Sequence, residues 1–436
     1  MRQRTAAIAD VPHWFVLLVV TGILVRGGVS PYLWNSIVPY QEPGGSLIVK
    51  IHPGSYLLAM LAAWVFLTKA RARAALWSAA GAAAIVLTAG IGLLLGLALV
   101  RGQTSSVGYL VDSILIAPAI ILCVLPMTKD QRERVVKAVI GLALANSAFS
   151  LLQVALQSHI MPFPYFTSGV GFRASGLLGH PLLTGAHHVV AVLVLQTTTA
   201  SPRVKAIATA FLLLGTLAGQ ARVATIISTI VVALIVLRGI RAGLASGRLD
   251  PIAFFVTAVC LVALLPTIVL AVTSSGALDR ILAGLNDESA RARVDVYRIF
   301  QFLSDQEYLF GTDLEYANRI MRNVLKLEHI ESPFVVYTLQ FGLVGALLFS
   351  LSLVAFFLLL AVTQTFHVRL AAAAYVAIAL TNNQLAAKGP SLALATALLI
   401  GASRLQQQKP HRRQNAPYRR QTRQHLVASR VLPGPP

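Results

Sequence analysis

Charge is scarce in this 436-residue chain: 12% of its residues are Asp, Glu, Lys or Arg, and only 16 are acidic. A soluble domain carries roughly 25% charged residues, so the shortage excludes an ordinary soluble fold. Cysteine is scarcer still, with Cys123 and Cys260 both inside apolar runs. Neither a disulfide nor a thiolate metal site is expected from them. Acidic residues are also unevenly spread, ten of the 16 falling between Ser274 and Ser332.

What the chain has is hydrophobic length. Apolar residues make up 56% of it, and the mean hydropathy is +0.72. A helix needs about 20 apolar residues to span a bilayer. About twelve segments are candidates, near 12–29, 52–68, 74–100, 107–127, 135–156, 181–200, 206–219, 223–237, 251–273, 333–363, 370–385 and 389–403, the seventh, eighth and eleventh of them short. The first is not expected to be a cleaved signal peptide, because Arg26 and Gly27 follow it without a small-residue cleavage site. The predicted fold is therefore all-α, a polytopic membrane helix bundle over residues 1–403.

Lysine and arginine set its orientation. Every even-numbered connection is basic: Lys69, Arg71 and Arg73; Lys129, Arg132, Arg134 and Lys137; Arg203 and Lys205; Arg238, Arg241 and Arg248; Arg369. Arg2 and Arg4 precede the first span, and the tail 404–436 adds eight basic residues and no acid. Both termini are thus expected in the cytoplasm, the tail as a disordered anchor near anionic lipid. The net charge of +20 follows from this topology and implies no nucleic acid. The acidic segment 274–332 is expected on the opposite face as one large helical loop.

Four outward connections stand out. Residues 26–51 are rich in Pro, Gly and aromatics; 157–180 are too polar and Gly-rich for a helix and suggest a partly re-entrant segment; Gly219-Gln220-Ala221-Arg222 is a tight turn; the acidic loop is the fourth. That loop carries two amphipathic patterns. Val296, Ile299, Phe300 and Leu303 form one stripe, with Arg291, Asp295 and Arg298 on or beside the opposite face. Ile320, Met321, Val324 and Leu325 form the other, opposite Glu315, Arg319 and Arg322.

Four local patterns resemble a known family. Gly176-Leu-Leu-Gly-His-Pro-Leu-Leu-Thr-Gly185 is similar to a G-x-x-G-N-P-N stretch leading into a span. Gly219-Gln-Ala-Arg222 stands where the family has a small-residue turn ending in Ser-Arg. Arg293-Val-Asp-Val-Tyr297 followed by Tyr308-Leu-Phe-Gly311 resembles its Arg-x-x-x-aromatic helix and P-L-x-G. Glu331-Ser332-Pro and onward to Gly342-Leu-Val-Gly345 resembles H-N-S-x-L…G-L-x-G. Together, in order, these resemble the O-antigen ligase and Wzy-type polymerase superfamily, closer to its exopolysaccharide polymerases than to true O-antigen ligases. Two positions depart from it: Glu331 stands where the family has histidine, with His329 two residues upstream, and His180 where relatives have Asn.

The resemblance implies a GT-C-like enzyme of the bacterial inner membrane. It would transfer glycan from an undecaprenyl diphosphate donor to the hydroxyl of a lipid-linked acceptor on the periplasmic face. A flippase and a chain-length regulator are implied as partners. A ligase moving finished glycan is the alternative enzyme, and a lipid-linked sugar transporter the alternative of another class.

The chemistry asks for specific groups. A departing diphosphate gathers negative charge, and arginine's permanent planar fork suits it; Arg222 and Arg293 are the candidates, with Arg291 competing for the second place. The attacking hydroxyl must lose a proton to a base, and Glu331 and His329 compete for that role. Arg173, His180 and Ser332 are candidate substrate contacts, and Lys388 faces the same side. His180 and His187, two turns apart, are separated by about 10.5 Å of helical rise, too far to share a metal. No metal or other cofactor is expected.

Overall fold

Four of the spans open on the same device, a polar cap followed by proline. His52-Pro53, His180-Pro181, Ser201-Pro202 and Ser332-Pro333 each place a side chain that accepts a backbone N–H of the first turn. The proline that follows has no N–H to leave unpaired and is already bent for a helix. Thr128 starts another span with a capping box closed by Gln131. In these connections the chain is thus told where to begin helix.

The computed structural model describes residues 11–42, 46–102, 108–163, 172–246, 294–327, 330 and 332–403. Every regular element among them is helical. In chain order the principal ones are α1 (His13–Gly28), α2 (Pro53–Thr68), α3 (Ala79–Val100), a π-helical turn (Leu110–Leu115) running into α4 (Ile116–Val124), α5 (Lys129–Leu156), α6 (Pro181–Leu195), α7 (Pro202–Ala218) and α8 (Arg222–Ser246). A 3₁₀ segment (Val296–Phe302) follows, then α9 (Asp305–Phe310), α10 (Leu314–Asn323), α11 (Pro333–Ala361), α12 (Phe366–Leu380) and α13 (Ser391–Gly401). Ala79–Val100, Lys129–Leu156, Arg222–Arg241 and Pro333–Ala361 are long and apolar enough to cross a membrane, and several shorter helices are apolar too. The chain is an α-helical protein of membrane character.

Two helices form its centre. Every residue of α6 except Leu182 is buried, and so is every residue of α13. A helix apolar all round belongs inside such a bundle. α3 and α11 pack along each other, where Gly90 leaves room for Ser352. Tyr337 stacks on Phe349 within α11 with ring centroids 3.7 Å apart. Leu17, Leu67, Leu93, Leu351 and Leu358 point outward and are largely exposed, a surface suited to lipid.

Hydrogen bonds gather alternate connections at one end of the bundle. Asp112 is held by Arg26 and by the His52 backbone; Lys388 reaches Tyr40 and Lys50; Gln220 reaches Phe172; Arg101 reaches Phe310; Thr312 reaches Leu339. These are the connections expected on the outward face.

Some expectations change. The α8 helix extends to Ser246, well past the expected 237, so no short span is needed there. The first stripe of the acidic loop is a 3₁₀ helix rather than an α-helix. In the second stripe Ile320 and Met321 are buried, but Val324 is 54% exposed, because α10 ends at Asn323 before the stripe completes. Ala317, one turn before Ile320 and Met321, belongs to the same buried core. The span near 251–273, Cys260, the tail 404–436 and loop residues 274–293 lie outside the described residues.

Candidate functional site

The first cluster is built on α5. Asn146, Ser150 and Gln153 recur at i, i+4 and i+7 on the largely apolar second half of α5, and all three are buried. The Gln153 carboxamide oxygen accepts from the Gly176 N–H at 2.9 Å, and that of Asn146 accepts from Leu177 and Leu178 at 2.7 and 3.2 Å. The irregular glycine-rich segment before α6 therefore has its backbone satisfied by side chains, as buried irregular chain requires. Asn146 also meets Thr184 and the His188 ring, which joins α6 to the same network.

On this platform lies the turn between α7 and α8. Gln220 adopts φ 48°, and its side-chain amide donates to the Phe172 carbonyl at 3.0 Å. The Ala174 N–H donates to the Ala218 carbonyl at 3.1 Å, and Arg173 Nε to that of Gly219 at 3.5 Å. Arg222 then opens α8 as its first residue. Arg173 and Arg222, 49 positions apart in sequence, are thereby brought to the two sides of one pinned turn. His180 is the N-cap of α6, its Nδ1 accepting from the Leu182 N–H at 3.2 Å. Burial, reinforced by the Arg173 guanidinium, pushes its pKa from 6.5 down to about 4. This keeps the ring neutral and free to cap.

The second cluster joins the acidic loop to α11. Val296 and Ile299 from the 3₁₀ segment, Ala317, Ile320 and Met321 from α10, and Val335 and Leu339 from α11 form one buried core. Above it Tyr297 and Ser332 share a hydrogen bond of 3.1 Å, and Ser332 caps α11 through the Val335 N–H. The aromatic of one sequence motif thus touches the serine of another. Ser304 and Glu307 close a capping box, which together with Thr312 holds the Glu307 carboxyl below the usual range.

Gly311 and Gly342 meet back to back. Gly311 has φ 97°, and a Cβ there would lie 2.6 Å from the Gln340 carbonyl oxygen; Gly342 has φ 75°, and a Cβ would strike the Leu309 carbonyl. Gly342 breaks the helical path inside α11, and the Thr312 N–H takes up the Leu339 carbonyl at 2.8 Å. Only glycine fits either place. Arg291, Arg293, His329 and Glu331 lie outside the described residues.

Sequence reasoning missed a third cluster. Arg26 and Asp112 form a salt bridge of 3.2 Å with both side chains wholly buried. Tyr40 donates to the same carboxylate, and the His52 N–H donates to its other oxygen at 3.1 Å. Lys388 lies 4.1 Å from the Tyr40 ring and donates to the Tyr40 and Lys50 carbonyls. Burial lowers Lys388 to about 8, with Lys50 and Arg26 adding to the shift and Asp112 opposing it. Asp112 lies in the π-helical turn. The available signal was an acid inside an apolar span, which asks for a partner; nothing in the sequence points to Arg26, 86 positions away.

The bundle end thus offers a sealed ionic core and two rims that could meet a ligand, one arginine-bearing and one acidic. Comparison with protein families, with curated proteins and with solved structures finds no match.

Proposed function

We propose that the chain is a membrane glycosyltransferase that polymerises a bacterial surface polysaccharide. It would move glycan from an undecaprenyl diphosphate donor to the hydroxyl of a lipid-linked acceptor, with about twelve spans in the inner membrane, both termini cytoplasmic and the acidic loop outside. The observation that carries the reading is the pairing of separate motifs at one bundle end: Tyr297 with Ser332, Gly311 with Gly342. Segments that resemble one family's motifs are in contact where a shared site would need them.

In this reading Arg222 and Arg293 hold the diphosphate as charge builds on it, and Glu331 or His329 takes the acceptor proton. Arg173, Arg291, His180 and Ser332 surround the substrate, of which His180 and Ser332 also cap helices. The positive clamp is supplied by the chain itself, so transfer is expected to persist in EDTA.

The test is synthesis from lipid-linked repeat units by the purified protein. Arg222→Ala and Arg293→Ala should each lose polymer at matched protein level; normal polymer from both would refute the clamp. Loss with Glu331→Gln but not His329→Ala assigns the base to Glu331, and the converse to His329. Attachment of finished glycan to a non-lipid-carrier acceptor would mark a ligase. The buried pair of Arg26 with Asp112, the latter in a π-helical turn, favours a second reading, transport of a lipid-linked sugar; carrier flipping without glycan transfer would select it.

A further inference from the structure

The acidic rim contains a cleft that the arginine turn does not line. Its volume is about 890 Å³, and Arg101, Gln306, Phe310, Asp313, Glu315 and Tyr316 line it. That lies within the range of about 300–1,000 Å³ usual for small-molecule sites. Its floor is Gly311 and Thr312, fixed to the break in α11 by the Thr312–Leu339 hydrogen bond.

The lining combines two kinds of surface. Phe310 is an apolar ring 52% exposed, and Tyr316 adds a second aromatic. Beside them, Glu315 and Gln306 are exposed and have no side-chain hydrogen bond or ion pair among the described residues. Asp313 uses one carboxylate oxygen to cap α10 through the Glu315 N–H at 2.9 Å. Carboxylates accept only, while the amide both accepts and donates. Hydroxyls above an apolar ring face match this set, because a sugar presents C–H groups on one side and O–H groups around its edge.

Charge narrows the class. Among the described residues that line the cleft, Glu307, Asp313 and Glu315 stand against one cation, Arg101, whose guanidinium already donates to the Phe310 carbonyl; Arg319 lies on the Tyr316 ring, 6.0 Å from its centroid. Such a lining repels phosphates and uronates. It therefore does not suit a lipid headgroup or the diphosphate assigned to Arg222 and Arg293.

We propose that this cleft is a binding subsite for a neutral or amino-bearing stretch of glycan, holding the acceptor chain as it leaves the reaction centre. The acceptor role rests on the polymerase reading; glycan binding itself does not.

The experiment uses full-length protein in lipid nanodiscs and saturation-transfer NMR with cellopentaose, a chitosan pentamer and oligogalacturonate. Cellopentaose and the chitosan pentamer should bind, the latter more tightly, and oligogalacturonate should not. Phe310→Ala should weaken binding about tenfold, the loss of one good aromatic contact. Glu315→Lys should reverse the order and admit oligogalacturonate. Both side chains are exposed, so both variants should fold; Glu315→Gln, which only removes charge, should erase the preference for chitosan. Binding by none of the three sugars, a wild-type preference for oligogalacturonate, or unchanged binding in Phe310→Ala would overturn the proposal. So would competition by added phosphatidylglycerol, which would identify a headgroup site. Binding without any polymer synthesis keeps the cleft and removes the polymerase reading; synthesis with an unchanged acceptor KM in Phe310→Ala keeps the polymerase reading and removes the cleft's acceptor role.

Discussion

The Arg26–Asp112 cluster and the Arg173–Arg222 turn are both basic, polar and at the same end of the bundle, yet they differ in what their charges can reach. In the first, a wholly buried carboxylate accepts from Arg26, Tyr40 and the His52 backbone, while Lys388 is tied to two carbonyls. In the second, Arg173 donates to the Gly219 carbonyl, the Gln220 amide to that of Phe172 and the Ala174 N–H to that of Ala218, and the Arg173 and Arg222 side chains are only partly buried. Sealed charges stabilise or destabilise the fold; charges at an opening can meet a substrate. On the proposed function, the first cluster serves the fold and the second is the one open to a substrate.

Breaking the sealed cluster gives the largest expected effect. Asp112→Ala or Arg26→Met alone leaves its partner charged and unpaired in the interior, which costs about 3–5 kcal/mol. Arg26→Met with Asp112→Leu removes both charges together, and most of the stability should return. Thermal unfolding of the three variants in detergent checks this, and a double variant no better than the singles would show that the pair does more than neutralise itself.

The glycine contact comes next. Gly342→Ala puts a Cβ into the Leu309 carbonyl at φ 75°, where backbone strain alone costs on the order of 1–3 kcal/mol. The acidic loop should detach from α11, and proteolysis within 305–316 should quicken while the rest of the bundle resists. Equal protection in wild type and variant would mean that the loop is held elsewhere.

Smaller is the effect of acid on the His180 cap. Its folded pKa near 4 lies below the ordinary 6.5, so the unfolded chain binds the proton more readily. Stability from this group is complete above about 6.5 and is lost as pH falls from there through 4. His180→Asn keeps an N-cap without a titrating ring, so its loss of stability across that window should be shallower than wild type's. Identical pH profiles would contradict the assignment. Smallest is the loop's own cap: Ser304→Ala should cost about 0.5–2 kcal/mol of local stability, read as faster amide exchange in 305–310.

Much of this architecture was legible because it depends on local rules. Apolar length located α1 to α8 and α11 to α13; cap-proline pairs such as Ser332-Pro333 are a local rule that was readable as well. The Gly219–Arg222 turn was visible as small and polar residues between two apolar runs. What escaped depends on pairing across the chain. Gly311 and Gly342 were noticed as motif positions, but only packing shows that each excludes a Cβ from the other. Arg26 read as the end of a span until Asp112 was placed beside it. The polar stripe Asn146, Ser150 and Gln153 has helical spacing and was readable in principle; it was hidden by the hydrophobicity around it. The Val324 error came from extending a periodic stripe past the end of its helix.

The central division is tested most directly by glycan transfer from undecaprenyl diphosphate-linked repeat units, with Arg222→Lys and the Arg26→Met/Asp112→Leu pair compared at equal amounts of folded protein. Lysine keeps the charge of Arg222 and loses its fork, so turnover should fall about a hundredfold or more, while the double variant should keep most of its transfer. Full transfer by Arg222→Lys together with loss in the folded double variant would contradict the account, placing the chemistry in the sealed cluster.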